Sequence, residues 1–191
     1  MPKPQIYLIT PVIDDAAAFA PILRAAVERT RAASVLLRLG ATDERGAINQ
    51  LKILAPVAQK LDAAVLIESD ATVAARGGAD GVHLVASAVE LKAAVEKLQP
   101  DRIVGCGGLD TRHAAMEAGE AGVDYVMFGE PRRGKRGEEI VPDPAAVAEQ
   151  AEWWARLFET PCVAYAASAE AVPALERTNA EFVGYGPWAF V

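Results

Sequence analysis

The chain has 191 residues, a formal net charge of −7 and an apolar content of 52%. This length and composition suit one globular domain, residues 1–191, with a sizeable core. The net charge is negative and only one short loop is basic. The chain therefore lacks the basic face of a nucleic-acid-binding protein, and we do not expect nucleic-acid binding. No apolar run reaches the roughly 18 residues that would suggest a membrane span. The N-terminal residues lead directly into a strand pattern, and we expect a cytoplasmic protein.

The first half of the chain alternates apolar runs with helical patterns. Strands are predicted over residues 6–10, 34–39, 63–68 and 81–85. Helices follow them, beginning near Asp14 or Asp15, near Thr42 or Asp43, at 70–76 and after Ser87. Pro11 is expected to end the first strand, and Pro56 to kink or split the second helix.

The second half continues the same alternation. Strands are predicted over residues 102–106, 125–129, 161–166 and 181–185, and helices over about 111–121, 143–158 and 169–177. A polar, cationic loop occupies residues 130–141. The two cysteines, Cys106 and Cys162, fall inside apolar strand patterns, which favours buried free thiols over a disulfide.

Eight strands that read as near-continuous apolar runs, alternating with helices, indicate a parallel sheet covered on both faces. We predict a compact α/β fold, a (β/α)8 TIM barrel with its functional site at the carboxyl ends of the strands. A doubly wound open sheet is the alternative, but Thr10-Pro11-Val12 is not the glycine-rich turn that usually follows its first strand. The last helix is expected to be short or missing. Either the Pro187-Trp188-Ala189-Phe190 tail or a second subunit would then cover that face, and we expect a homodimer.

Four motifs carry a resemblance to a known family. They are Ile6-Tyr7-Leu8-Ile9-Thr10, Ala79-Asp80-Gly81-Val82-His83-Leu84, Ile103-Val104-Gly105, and Val123-Asp124-Tyr125-Val126 with Phe128-Gly129. In this order they resemble the thiamine phosphate synthase family, including its thiazole tautomerase branch, over the whole chain. The resemblance implies a (β/α)8 barrel of thiamine biosynthesis. It also implies a transferase reaction that joins a pyrimidine methyl diphosphate to a thiazole phosphate, uses magnesium and releases pyrophosphate.

The resemblance also locates the family's catalytic positions, and most of them differ here. After the second strand, Leu36 stands for the family glutamine, Arg38 matches its arginine, and Gly40 replaces its lysine. After the third strand, Glu68 and Ser69 stand for Asn-Asp, whose aspartate holds magnesium, and Asp70 follows. The second metal-binding aspartate falls in the run Val85-Ala86-Ser87-Ala88.

The remaining family positions concern phosphate binding. Gly107 stands where the family has a serine after the fifth strand. The Thr-x-Thr-Lys diphosphate clamp corresponds to a loop without threonine, residues 131–137. The glycine pair that seats the thiazole phosphate corresponds to Ala166-Ala167.

Arg38 and Glu68 are the candidate catalytic residues. Guanidinium matches phosphate bidentately, so Arg38 is either an anion clamp or one half of an ion pair with Glu68. Magnesium prefers carboxylate oxygens, which makes Glu68 and Asp70 its candidate ligands. The alternatives are a paired carboxylate for Glu68 and a helix cap for Asp70.

The cationic loop provides the candidate phosphate-binding residues Arg132, Arg133, Lys135 and Arg136. Four close cations either hold an anion or form a solvated loop balanced by Glu138 and Glu139. Gly184 and Gly186, after the last strand, lie where barrels often place a phosphate site.

His83 is expected to be a hydrogen-bonded core histidine, with proton transfer as the alternative. Three functions stay open. The first is a thiamine-phosphate-synthase-like enzyme, with magnesium as a possible cofactor. The second is a catalytically silent paralogue that binds a phosphorylated small molecule or a partner protein. The third is a metal-free isomerase like the tautomerase branch.

Overall fold

The computed structural model describes residues 3–40, 43–68, 71–133 and 139–191. Eight parallel strands close into a barrel in the order β1-β10-β9-β6-β5-β4-β3-β2, which confirms the predicted (β/α)8 fold. The barrel strands are β1 (Gln5–Ile13), β2 (Ser34–Leu39), β3 (Ala64–Ile67), β4 (Gly81–Leu84), β5 (Ile103–Cys106), β6 (Tyr125–Phe128), β9 (Cys162–Ala166) and β10 (Phe182–Tyr185). Strands β7 (Arg132–Arg133) and β8 (Glu139–Ile140) form a small antiparallel pair in the loop after β6.

The helices lie on the outside of the barrel. They are α1 (Ala16–Thr30), α2 (Glu44–Gln59), α3 (Ala71–Gly77), α4 (Ala88–Leu98), α5 (Arg112–Glu120), α6 (Pro144–Leu157) and α7 (Val172–Leu175). Asp15, Asp43, Ser87 and Thr111 each accept a hydrogen bond from a backbone N–H of the first turn. These caps explain why α1, α2, α4 and α5 begin where they do.

Two predicted elements were wrong, and a third prediction is decided in part. Strand β1 continues through Pro11 to Ile13, because its register with β2 shifts between Ile9 and Val12 and the irregularity accommodates the proline. Helix α2 runs through Pro56 without splitting, so the split predicted as one of two outcomes is wrong and the kink stays a prediction. The helix predicted over residues 169–177 is a 3-10 turn, Ala169–Ala171, followed by the single turn of α7.

The chain end covers the face that an eighth helix would occupy. Residues Pro187–Phe190 form a 3-10 turn in which Trp188 Nε1 donates a hydrogen bond to the Ala166 carbonyl at 2.9 Å. The rings of Phe190 and Phe19 lie 5.5 Å apart, and the Arg29 guanidinium donates to the Ala189 carbonyl. The tail therefore supplies the cover for which a second subunit was the alternative.

Both cysteines are free and buried, as predicted. Across the described parts of the chain, no helix is both long and apolar enough to cross a membrane.

The barrel interior is a separate apolar cluster from the layer between strands and helices. Its buried members are Tyr7, Ile9, Leu36, Leu66, Tyr125, Met127, Val163 and Tyr165. Three of these are tyrosines, and the hydroxyl group of a buried tyrosine needs a hydrogen-bond partner. The barrel interior therefore contains polar hydroxyl groups among its apolar side chains.

Candidate functional site

Arg38 and Glu68 lie together at the carboxyl ends of β2 and β3. Arg38 Nε is 3.3 Å from each oxygen of the Glu68 carboxylate, and the two side chains are 31% and 40% exposed. The Arg38 backbone N–H donates to the hydroxyl of buried Thr10 at 3.0 Å, which fixes the strand end. The predicted ion pair is therefore present, and it is open enough to the solvent for a ligand to reach.

The other predicted site residues have mixed outcomes. Asp70, Lys135 and Arg136 lie outside the described residues. The backbones of Arg132 and Arg133 form β7, paired with Ile140 and Glu139, in the loop that follows β6. Their phosphate-binding role remains a prediction.

Gly184 and Gly186 are packed against neighbouring strands. A Cβ atom at Gly184 would lie 3.1 Å from side-chain atoms of Ile9 and Val163. A Cβ atom at Gly186 would overlap the Tyr165 hydroxyl group. Close packing thus accounts for both glycines, and their proposed role in phosphate binding stays a prediction.

A continuous hydrogen-bonded chain crosses the barrel interior. The Tyr7 and Tyr125 hydroxyl oxygens are 2.7 Å apart, and the Tyr125 oxygen is 2.8 Å from His83 Nδ1. His83 Nε2 lies 2.9 Å from Glu130 Oε2, and the other Glu130 oxygen accepts from the Gly108 N–H. His83 is thus the hydrogen-bonded core histidine that the sequence predicted, and we call these four side chains the interior network.

Sequence analysis missed three of the four members. Tyr7 and Tyr125 were noted only as parts of strand motifs, and Glu130 only as the start of a loop. A charged residue directly after an apolar barrel strand was the available signal for Glu130, because such a position faces the functional end of the barrel.

Burial sets the protonation of the interior network. It raises the pKa of the Tyr7 and Tyr125 phenols well above the ordinary value, and the Glu130 charge adds to the effect. Burial also raises the pKa of the Glu130 carboxyl, but the charge and hydrogen bond of His83, the Gly108 N–H and the Arg38 charge outweigh it. The Glu130 pKa is therefore lowered, so the phenols stay neutral and Glu130 stays ionised.

Two glycines of β5 and its following loop make room for the interior network. A Cβ atom at Gly105 would overlap the Tyr125 ring, and one at Gly107 would overlap both Glu130 and His83. Because β5 lies between β4 and β6, these glycines let His83 and Glu130 meet across it. The space beside Gly105 and Gly107 is thus filled by the side chains of Tyr125, Glu130 and His83.

Of the two predicted magnesium ligands, the described residues include Glu68, whereas Asp70 lies outside them. Within residues 3–40, 43–68, 71–133 and 139–191, no group of three His, Cys, Asp or Glu side chains could hold a metal ion. Glu68 is paired with Arg38. The run after β4 offers Ser87, whose hydroxyl donates to Glu90 at 2.7 Å in a capping box.

A cavity of about 560 Å³ opens between the amino ends of α5 and α6. Glu130, Gly108 and Met127 lie along its inner side, and Thr111, Ala146 and Glu149 belong to the helix side. The cavity thus connects one end of the interior network to a space large enough for a small molecule.

The closed parallel barrel is that of a (β/α)8-barrel protein, and its polar side chains lie at the carboxyl end of the strands, where enzymes of this fold place their active sites. A family model described as thiamine monophosphate synthase matches residues 6–187. The chain belongs to this family, as its motifs predicted.

Individual proteins agree with the family match. A thiamine-phosphate synthase of Rhodospirillum centenum is 36% identical over 189 residues, covering 96% of this chain and 89% of that protein. Another, of Hyphomonas neptunium, is 37% identical over 170 residues, covering 85% and 75%. Among solved structures, a thiamine phosphate pyrophosphorylase from Pyrococcus furiosus has a TM-score of 0.75 at 20% identity, covering 95% and 85%. The last comparison supports the fold alone.

Proposed function

We propose that this protein is a transferase of the thiamine-phosphate-synthase type, which joins a pyrimidine methyl diphosphate to a thiazole phosphate. The observation that carries the proposal is the 36% identity to the Rhodospirillum centenum thiamine-phosphate synthase over 96% of the chain. The barrel fold and the Arg38 position at its carboxyl end support it. Family membership suggests the reaction, and residues of this chain would have to stabilise the negative charge that develops on the leaving diphosphate.

Arg38 is the residue that we assign to the diphosphate. In the transfer, the bond between the methylene carbon and the diphosphate oxygen breaks, and its electron pair leaves with pyrophosphate. A ring nitrogen of the thiazole forms the new bond to carbon. Because negative charge grows on the leaving group, a guanidinium held beside it stabilises the transition state. The cations Arg132, Arg133, Lys135 and Arg136 would add to this stabilisation from the loop after β6.

The test is formation of thiamine phosphate from the two substrates, with and without magnesium, by the natural protein and by Arg38→Ala. We expect kcat/KM to fall by about 100-fold in Arg38→Ala, in line with the loss of one charge-stabilising donor. Arg156→Ala is the matched control, because Arg156 also pairs with a glutamate at 3.6 Å but lies at the carboxyl end of α6. Equal turnover in both variants would remove Arg38 from the proposal.

A second candidate is a paralogue that binds a phosphorylated small molecule or a partner protein without catalysing the transfer, or that acts as a metal-free isomerase. The described residues support it by lacking a metal-binding group and by carrying Leu36, Gly40 and Gly107 at family catalytic positions. Folded protein that binds thiazole phosphate by calorimetry and forms no thiamine phosphate would favour this candidate over the first.

A further inference from the structure

Glu130 fixes the first residues of the segment that follows β6. Its side chain is 14% exposed, with His83 Nε2 2.9 Å from one carboxylate oxygen and the Gly108 N–H donating to the other. His83 belongs to β4 and Gly108 to the loop after β5, so one carboxylate ties the segment after β6 to two other segments of the barrel. Because the acceptor is charged and largely buried, these bonds hold that point more firmly than an exposed ion pair would.

The residues on either side of Glu130 leave its backbone little freedom. Gly129 has a φ of 89°, and a Cβ atom there would overlap the Val147 side chain of α6. Pro131 has a fixed φ, and a proline also restricts the residue before it to extended conformations. The turn at residues 129–131 is therefore packed against α6, hydrogen-bonded through Glu130 and stiffened by the proline.

The short strand β7 begins directly after this turn. It consists of Arg132 and Arg133, two of the predicted phosphate-binding residues, and its backbone pairs with β8. Two residues of extended chain span at most about 7 Å, so the Glu130 backbone and the start of β7 are close neighbours. The hydrogen bonds of the Glu130 carboxylate thus constrain where the backbone of β7 lies.

The segment after β6 faces Arg38 across the barrel mouth. In the closed order β1-β10-β9-β6-β5-β4-β3-β2, the strands β6 and β2 are four strands apart in both directions. Because parallel strands end at the same end of the barrel, Arg38 on β2 and the segment after β6 lie on opposite sides of one opening. Burial raises the pKa of Glu130, but the charges of His83 and Arg38 lower it, so Arg38 is within electrostatic range of this carboxylate.

We propose that Glu130 is a positioning residue for the diphosphate, because the hydrogen bonds of its carboxylate hold β7 opposite Arg38. The diphosphate is bound between Arg38 and β7, and Glu130 keeps the two sides of this site in register without contacting the ligand. The inference rests on the proposed function, which puts the diphosphate at Arg38. It goes beyond that function by giving the interior network a role in substrate binding.

The first test measures backbone order parameters of β7 by NMR relaxation and needs no substrate. Glu130→Ala removes both hydrogen bonds, and the order parameters of the β7 amides should fall from about 0.85, typical of rigid backbone, to below about 0.6. Asp124→Ala is the matched control. Asp124 also accepts two hydrogen bonds, from the Val104 N–H at 2.8 Å and from Gln99 Nε2 at 2.9 Å, but it precedes β6 at the other end of the barrel. It should leave β7 rigid.

The second test measures binding of inorganic pyrophosphate by calorimetry, with and without magnesium. In Glu130→Ala the affinity should fall about 10- to 100-fold, the range for one lost hydrogen bond to a charged group. Asp124→Ala should change it by less than about twofold, because distant sites act independently. In the transfer reaction, the KM of the pyrimidine diphosphate should rise by the same factor in Glu130→Ala, and the KM of the thiazole phosphate should not.

Two conservative variants separate position from charge and guard against a folding defect in Glu130→Ala. In Glu130→Gln the amide oxygen can accept from the Gly108 N–H while the amide nitrogen donates to His83 Nε2, so both bonds persist without the charge. Its pyrophosphate affinity should stay within about threefold of the natural value. Glu130→Asp keeps the charge but is one methylene group too short to make both bonds, and it should behave like Glu130→Ala.

The opposite pattern, with Glu130→Asp like the natural protein and Glu130→Gln like Glu130→Ala, would overturn the inference. Equal pyrophosphate affinity and equally rigid β7 in the natural protein and Glu130→Ala would overturn it as well, and would leave the proposed function in place. A natural protein that neither binds pyrophosphate nor forms thiamine phosphate would remove the proposed function and this inference together.

Discussion

His83 Nε2 and Glu130 Oε2 lie 2.9 Å apart although they belong to β4 and to the segment after β6, with β5 between them. The contact crosses β5 because Gly105 and Gly107 have no side chains to fill the space. A histidine and a carboxylate are thus paired across a strand of the barrel, and the pairing depends on residues that take no part in its hydrogen bonds.

Gly107→Ala should therefore break the interior network. Its Cβ would overlap Glu130 and His83, so we expect a loss of stability of about 1–3 kcal/mol, the cost of buried groups left without partners. Urea unfolding measures it. Gly78→Ala is the control, because it has a positive φ of 86° but open space around the Cβ. It should cost about 1 kcal/mol from backbone strain and leave the His83 side-chain NMR signals unchanged. Unchanged His83 signals in Gly107→Ala would contradict the prediction.

Tyr125→Phe should destabilise the protein more than Tyr7→Phe. Tyr125 bonds both His83 and Tyr7, so its loss leaves two buried polar groups unpaired, whereas loss of the Tyr7 hydroxyl takes one of the two partners of Tyr125. Each unpaired group costs about 1–3 kcal/mol. The double variant should cost less than the sum of the two single variants, because both remove the same tyrosine–tyrosine bond. Additive unfolding free energies would show that the two hydroxyl groups act independently.

The stability that Glu130 contributes should depend on pH with a defined sign. Its pKa is lower in the folded protein, so the contribution is fully present above about pH 4.3, the ordinary pKa of a glutamate, and is lost as the pH falls through the folded-state value. The difference in unfolding free energy between the natural protein and Glu130→Gln should be constant at neutral pH and shrink in acid. Denaturant titrations from pH 7 to pH 3 measure it. A difference that grows in acid would reverse the assigned direction of the pKa shift.

Neither cysteine should react with thiol reagents in the folded state. Burial raises the pKa of Cys106 and of Cys162 to about 12, so almost no reactive thiolate is present at pH 8. Treatment with iodoacetamide should leave both unmodified by mass spectrometry, and both should be alkylated in guanidinium chloride. Rapid modification of either one in the native protein would show that its strand opens more readily than its burial indicates.

The sequence predicted the barrel because its signal is repeated. Each strand is a short apolar run, and each of several helices begins at a capping side chain such as Asp15, Ser87 or Thr111. Local patterns of this kind need no knowledge of distant residues. The errors occurred where contacts with a distant segment determine the local structure. Pro11 is an example, because the strand continues through it only where the register of β1 against β2 shifts.

The candidate site was predicted only in part for the same reason. Arg38 and Glu68 end neighbouring strands, so their pairing follows from strand order. The Glu130–His83 pair joins residues 47 positions apart and depends on two absent side chains between them. The local sequence around Glu130 does not indicate that Gly105 and Gly107 leave space for its side chain.

Gly107 also limits which single substitutions its position accepts. By resemblance, the family has a serine at this position, and any side chain there would require the space that Glu130 and His83 now occupy. A serine at 107 and the carboxylate of Glu130 thus exclude each other in this conformation. A single substitution of serine at 107 would therefore meet a steric clash, and the family residue fits here only together with a second change that moves or replaces Glu130.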